Sequence, residues 1–259
     1  MKNKIMNFWK YRFLLSNLIG RDLKVKYRRS KLGVMWSVLN PLLMMLVMTA
    51  VFSAFFSFDI PNYPVYLLSG QLLFTFFNDS TSAAMGSVLF SASLIKKVYV
   101  PKYIFPLEKS CFSFINMLFS MVALLFIMVI TGAPFYASIV AATIPLFTMF
   151  LFCMGVGLFL SAGAVYFRDV MHFWSVIIMA LNYATPIFYP ETIWQGTFMA
   201  YVGRINPLYW YVSTFRDCVI NGVFPSTLQI TLCCAFAAIA VVVGAYVFNK
   251  SQDNFILHI

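Results

Sequence analysis

The chain has 259 residues, of which 62% are hydrophobic, 19% aromatic and only 10% charged, with a formal net charge of +10. Soluble domains run near half apolar and a quarter charged, so this composition excludes a soluble globular enzyme. The apolar residues gather into long charge-free runs, and the unit to count is the membrane span of about 20 residues. The basic residues fall between those runs rather than on one polar domain, so membrane topology accounts for them and no nucleic-acid partner is expected.

In chain order, the first 31 residues carry ten of the 18 basic side chains, from Lys2 to Lys31. Lys10, Asn17, Arg21, Lys24 and Arg28 recur at helical spacing, while Ile5, Phe8, Trp9, Phe13, Leu15 and Ile19 supply apolar surface. This suits an amphipathic interface helix over residues 1–31, lying in the headgroup layer against anionic lipid. A solvated basic tail that orients the first span is the other reading. Charge-free runs then extend over Leu32 to Phe58, Ser110 to Phe167, Val170 to Pro190 and Cys218 to Asn249, with a fifth, Ile60 to Ile95, broken only by Asp79. The run from Ser110 holds two crossings joined by the turn signal Thr131-Gly132-Ala133-Pro134. Six spans follow within 32–259, at about 34–57, 63–88, 111–131, 138–165, 170–189 and 227–248. With this threading only Arg204 and Arg216 fall opposite the other basic residues, and the positive-inside rule puts both termini in the cytoplasm.

Between spans two and three, the stretch Leu94 to Lys109 mixes lysines with branched and aromatic residues and two prolines. It is too apolar for an ordinary loop and reads as a short element that docks into another protein. On the opposite side, the re-entrant region 190–225 holds Trp194, Tyr201, Tyr209, Trp210 and Tyr211, with two apolar pieces at 192–203 and 208–221 too short to cross. Re-entrant helices are the natural reading; an interfacial aromatic belt explains the same rings.

Reaction chemistry is missing. The eight acidic residues are scattered, His172 and His258 stand far from any ligand set, and no G-x-x-x-x-G-K-[ST] loop occurs, so neither a catalytic group nor a metal site is expected. The five cysteines, without a C-x-x-C pair, read as small buried hydrophobes. Energy for any work must then enter from another subunit or an ion gradient. An ion-coupled carrier would favour several intramembrane charges, and only Asp79 qualifies, either hydrogen-bonded within the bundle or set in a substrate path. A Gly157-x-x-x-Ser161 pair serves close helix packing within the chain.

The run Arg21-Asp22-Leu23-Lys24-Val25-Lys26-Tyr27-Arg28-Arg29-Ser30-Lys31-Leu32-Gly33-Val34-Met35-Trp36-Ser37-Val38-Leu39-Asn40-Pro41 closely resembles the N-terminal signature of type-2 ABC exporter permeases of the polysaccharide branch. Further pieces of that pattern follow in order: Tyr66-Leu67-Leu68-Ser69-Gly70, Leu94-Ile95-Lys96-Lys97-Val98, Pro101-Lys102, Pro106-Leu107, Tyr166-Phe167-Arg168-Asp169, Thr185-Pro186-Ile187-Phe188-Tyr189 and Asn206-Pro207-Leu208. Lys102 stands where many relatives carry Arg, and Phe74 where the aromatic is often Trp. The resemblance implies an all-α integral membrane protein of the bacterial inner membrane, with six transmembrane helices, an interface helix, a cytoplasmic coupling helix and external re-entrant helices. It implies a permease that exports a lipid-linked polysaccharide, O-antigen first and wall teichoic acid or capsule next, through a channel between two copies of the chain. Two separate subunits would hold ATP and Mg, this chain binding no cofactor. The coupling helix would lie at Lys97, Val98, Tyr99, Val100, Pro101, Lys102 and Tyr103.

A sliding sugar chain needs aromatic faces with a few amides or hydroxyls. Helical spacing puts Phe74, Phe77, Asn78 and Thr81 on one face of span two, Trp174, Asn182, Thr185 and Tyr189 on one face of span five, and Trp36 and Asn40 at the start of span one. Each ring alone would serve equally well facing lipid. Glu191, Arg204, Arg216 and Asp217, the charges of the external hairpin, are candidates for a gate that latches the exit or meets an anionic group on the polymer, with a purely topological role the other reading.

Overall fold

The structure, a computed structural model, describes residues 2–28, 30–55, 60–98, 100–194 and 196–258, and their side chains other than those of 2–10, 53–55 and 258. Every regular element among them is helical: α1 (Lys2–Tyr27), α2 (Trp36–Phe55), α3 (Tyr63–Phe90), the single turn α4 (Ala92–Ile95), α5 (Ile104–Ile130), α6 (Thr143–Tyr166), α7 (Val170–Tyr183), α8 (Met199–Ile205), α9 (Pro207–Arg216), α10 (Thr227–Ser251) and α11 (Phe255–His258). Local signals set the ends. Asn62, left-handed at φ 55°, precedes α3, and Gly132 at φ 67° turns the chain after α5. Asn206 caps α9 by accepting from Leu208 N at 3.0 Å, and Ser226 with Gln229 forms a capping box on α10.

Among the described residues, four stretches are long and apolar enough to cross a membrane by length and composition: Gly33–Phe52, Ile104–Ile130, Ala137–Tyr166 and Thr227–Leu257. Helix α7 is apolar but has 14 residues. Helix α3 has the length, 28 residues, but its apolar run is interrupted by Gln71, Thr75, Asn78, Asp79 and Ser82. Helix α5 begins at Ile104 rather than near 111, taking in Glu108 and Lys109. Charge did not stop it because Glu108, 2% exposed, lies 3.2 Å from the Lys109 ammonium, which also pairs with Asp22 of α1. Helix α7 ends at Tyr183 rather than 189, since Pro186 has no N–H to continue the ladder and biases Thr185 away from helical backbone.

Helix α3 runs through the middle, packed on α5 and α6, and α6 lies along α10. In a bilayer, helix association rests on close van der Waals packing more than on apolar burial, so small residues decide where backbones meet. A Cβ added at Gly155 would lie 2.3 Å from the Ala240 carbonyl carbon, and one at Gly244 would lie 2.1 Å from the Gly155 oxygen. The α6 and α10 backbones therefore touch. Gly157 serves the α3 side, where an added Cβ would meet Ala84 Cβ at 2.8 Å. Of the cysteines, all free, Cys153, Cys218 and Cys233 are buried, Cys111 is half-buried and Cys234 is exposed. At the periphery, α7 buries no residue and exposes Phe173, Val176 and Met179. A second apolar cluster closes the basic end of the bundle, joining Leu18 of α1 and Val88 of α3 to Val100, Ile104, Phe105, Val165, Phe248 and Phe255.

Candidate functional site

The 3.6-residue period divides α3 into unlike faces. Phe74, Phe77 and Thr81 are buried on one. The Phe77 ring lies 5.9 Å from both Phe152 of α6 and Trp174 of α7, and Thr81 donates to Phe77 O at 2.7 Å while accepting from Trp174 Nε1 at 3.1 Å. These residues hold α6 and α7 against α3. Another face carries Gln71, Thr75, Asn78, Asp79 and Ser82, half-buried or exposed in a helix otherwise largely buried. Asn78, on its edge, accepts from Ser82 Oγ at 3.3 Å. Gln71 Oε1 is buried without a partner among the described residues.

Beside this stripe lies a chamber of about 390 Å³ between α1, α2, α3 and α5, lined by Lys26, Tyr27, Trp36, Asn40, Gln71, Thr75, Asp79, Asn116 and Ser120. The Tyr27 hydroxyl donates to Asn116 Oδ1 at 2.9 Å, and Ser120 Oγ to Ser37 O at 2.8 Å, tying α1 and α2 to α5 across it. Trp36, 43% exposed, and Asn40, also exposed, stand where α2 begins. Of this stripe the sequence marks Asn78 as a channel candidate and Asp79 as set either within the bundle or in a substrate path; Gln71, Thr75 and Ser82 share the face but lack the aromatic neighbours of Phe74 and Phe77 on the adjacent one.

Of the residues expected on span five, Trp174 is half-buried on Thr81, and Asn182 is half-buried near the end of α7. Thr185 is wholly buried beyond that helix, donating to Leu181 O at 2.7 Å and accepting from Asn206 Nδ2 at 2.9 Å. Tyr189 is half-buried; its hydroxyl donates to Tyr183 O, and its carbonyl accepts from Tyr66 Oη at 2.9 Å. These contacts staple the non-helical segment 184–189 onto the start of α3.

The four charges Glu191, Arg204, Arg216 and Asp217 do not form one group. Arg216 is 4% exposed, with its guanidinium 3.5 Å from the Tyr66 ring centroid. It donates to the carbonyls of Pro186 at 2.6 Å, Tyr66 at 3.0 Å and Ile187 at 3.2 Å, and to Ser69 Oγ at 3.3 Å. Gly70 leaves the room it needs, since a Cβ there would stand 2.5 Å from Arg216 Nη2. Asp217 accepts from Asn221 at 2.8 Å and Gln229 at 2.6 Å, fastening the start of α10. Glu191 accepts from the Tyr209 hydroxyl at 2.8 Å, and burial together with that carboxylate pushes the phenol's pKa up. Glu191 and Arg204 line a cavity of about 680 Å³ with Trp194, Tyr201 and Tyr209. Among the described residues no ion pair links these four charges.

At the basic end, Lys97 and Val98 are exposed, Pro101 and Tyr103 half-buried, and Tyr99 lies outside the described residues. Val100 is 9% exposed and packs into the second apolar cluster. The Lys102 ammonium donates to Gln252 O, and burial lowers its pKa, opposed by the nearby Asp253 carboxylate.

The model of the ABC-2 type transporter family matches residues 14–220, most of the chain. The chain belongs to that family. This ABC-2 chain is 30% identical over 243 residues to the O-antigen export system permease RfbA of Klebsiella pneumoniae, covering 93% of each, and 25% identical over 252 residues to RfbA of Myxococcus xanthus, covering 97% of each. It is 18% identical over 241 residues to the polysialic acid transport protein KpsM of Escherichia coli, covering 91% of this chain and 92% of that one. As an ABC-2 permease it is a transport component rather than a catalytic subunit, and its long apolar helices make it an integral membrane protein.

Proposed function

We propose that this chain is the permease subunit of an ATP-driven exporter of a lipid-linked polysaccharide, with O-antigen as the substrate class, in the bacterial inner membrane. The observation that carries this reading is the polar stripe of α3. Amides, hydroxyls and a carboxylate turned toward hydrocarbon without partners would be costly, and the stripe runs between α2 and α7, which present apolar outer faces. Two copies of the chain meeting through those faces would turn both stripes toward a common path, lined by Gln71, Thr75, Asn78 and Ser82, with Trp36 and Asn40 at its cytoplasmic mouth. The path needs no covalent chemistry, only loose polar contacts. Helices α2, α3, α5, α6 and α10, and α7 continued by the non-helical segment 184–189, are the six crossings, α1 lies in the headgroup layer, α8 and α9 re-enter from outside, and both termini are cytoplasmic. Two ATP-binding subunits carry ATP and Mg and dock on residues 97–103. The names of the relatives support O-antigen first and capsule polysaccharide second.

The test uses the assembled exporter in cells. Gln71→Leu with Thr75→Leu lowers surface polymer at least ten-fold while the purified complex keeps its basal ATPase activity. Normal export by well-expressed double variant would move the channel to another face. Cysteines at 97 and 168 stay unreactive, and one at 134 reacts, with an impermeant thiol reagent applied outside; labelling of 97 would reverse the threading.

A further inference from the structure

Beyond α10 the chain folds back on the segment that precedes α5. Phe255 is 0% exposed, edge-on to Phe248 at 5.3 Å and to Tyr166 at 6.0 Å. The Tyr166 hydroxyl donates to Ser251 O at 2.9 Å. From the other side, the Lys102 ammonium donates to Gln252 O and stands 5.7 Å from the Phe255 ring centroid. One lysine thus ties residues 101–103 to the turn at 251–255 by a charge-assisted hydrogen bond and a cation–π contact. The next two residues turn outward: Ile256 is 54% exposed and Leu257 80% exposed, and on the coupling segment Val98 is 53% exposed.

We infer that the segment 252–257 and the coupling segment form one composite seat for the ATP-binding subunit, with Lys102 and Phe255 holding its two arms in register and Ile256 and Leu257 adding apolar surface to that of Val98. This rests on the docking role of residues 97–103 proposed above. The partner is that subunit because anything seated on 97–103 abuts residues hydrogen-bonded to it. The chemistry asked of the partner is an apolar patch bordered by acidic side chains, since Lys96, Lys97 and Lys250 are exposed at this end. Val100, by contrast, is an internal anchor, so its substitution reports folding as well as docking.

The experiment measures the affinity of the purified ATP-binding subunit for the full permease in nanodiscs. Ile256→Glu with Leu257→Glu weakens it at least ten-fold, as does Val98→Glu. If Val98→Glu weakens binding and the double variant does not, the second arm is overturned and the coupling segment stands alone; a double variant that changes only lipid partitioning has the same meaning. If neither weakens binding, the docking reading falls and takes the composite seat with it. Register is read as polymer exported per ATP hydrolysed by the complex. Lys102→Met, which keeps the aliphatic stem, lowers that ratio several-fold, and Lys102→Arg retains it. A ratio unchanged in Lys102→Met, or lost equally in Lys102→Arg, overturns the positioning role.

Discussion

The two ends of this bundle are held together by different physics. At the far end, where α7 breaks at Pro186, a single buried guanidinium gathers three backbone carbonyls and a serine hydroxyl from α3 and the segment 186–187. Such bonds are directional and tolerate little displacement. At the basic end, rings and aliphatic side chains from α1, α3, α5, α6, α10 and the turn after it share an apolar cluster edged by lysines. Dispersion contacts of that kind survive small sliding. The far end is held by directional bonds from one group, and the basic end chiefly by apolar contact shared among several segments.

The sharpest way to break the comparison, with the largest expected loss, is Arg216→Met, which removes four hydrogen bonds at once. Pro186 O keeps the Tyr66 hydroxyl at 3.2 Å and Tyr66 O the Ser69 hydroxyl at 2.7 Å, so Ile187 O is the acceptor left bare. With about 1–3 kcal/mol for one buried group left unpaired and a similar amount for the lost charged bonds, the loss is expected on the order of 3 kcal/mol, read as a lowered thermal midpoint in nanodiscs. Arg216→Lys should recover little, because an ammonium does not reproduce the planar fork. An unchanged midpoint for both would mean that the far end is held by packing alone. Tyr27→Phe probes the chamber wall with a smaller effect, the loss of one neutral hydrogen bond worth about 1 kcal/mol. Its expected sign is faster hydrogen exchange in α1, with α3 unaffected.

The smallest effect is electrostatic. Burial alone would raise the Asp22 carboxyl, but hydrogen bonds from Lys109 and Arg21 and their charges hold it below its ordinary value of 3.8. A carboxylate with a depressed folded pKa adds stability that is present above the unfolded value and fades as pH falls through the folded one. The tie between α1 and α5 should therefore hold at neutral pH and loosen only below about 3.8. Asp22→Asn should abolish that acid dependence while costing little at pH 7, as partly exposed pairs do.

Much of the architecture was legible in the chain. Apolar runs and the Thr131–Pro134 turn marked where helices lie, because lipid-compatible segments need length and freedom from charge. The start of α5 was hidden, since Glu108 and Lys109 look like loop residues until Asp22, far away in sequence, is placed beside them. The face of α3 was hidden for another reason. Aromatic and polar residues both recur on it at helical spacing, and only the positions of Phe152 and Trp174 reveal that the rings at 74 and 77 look inward. Arg216 is the extreme case: its acceptors are 29 to 150 residues distant and three of the four are backbone carbonyls, which no side-chain pattern announces.

The glycine contact between α6 and α10 sets what this molecule is free to do. With the Gly155 and Gly244 backbones touching, neither helix has slack to slide or roll against the other without collision. The pair behaves as a strut, and α3 is wedged to it through Gly157 and Ala84. On the proposed path along the α3 stripe, widening for a sugar chain would have to come from α2 and α7, with the stripe fixed like a rail while its two flanks swing.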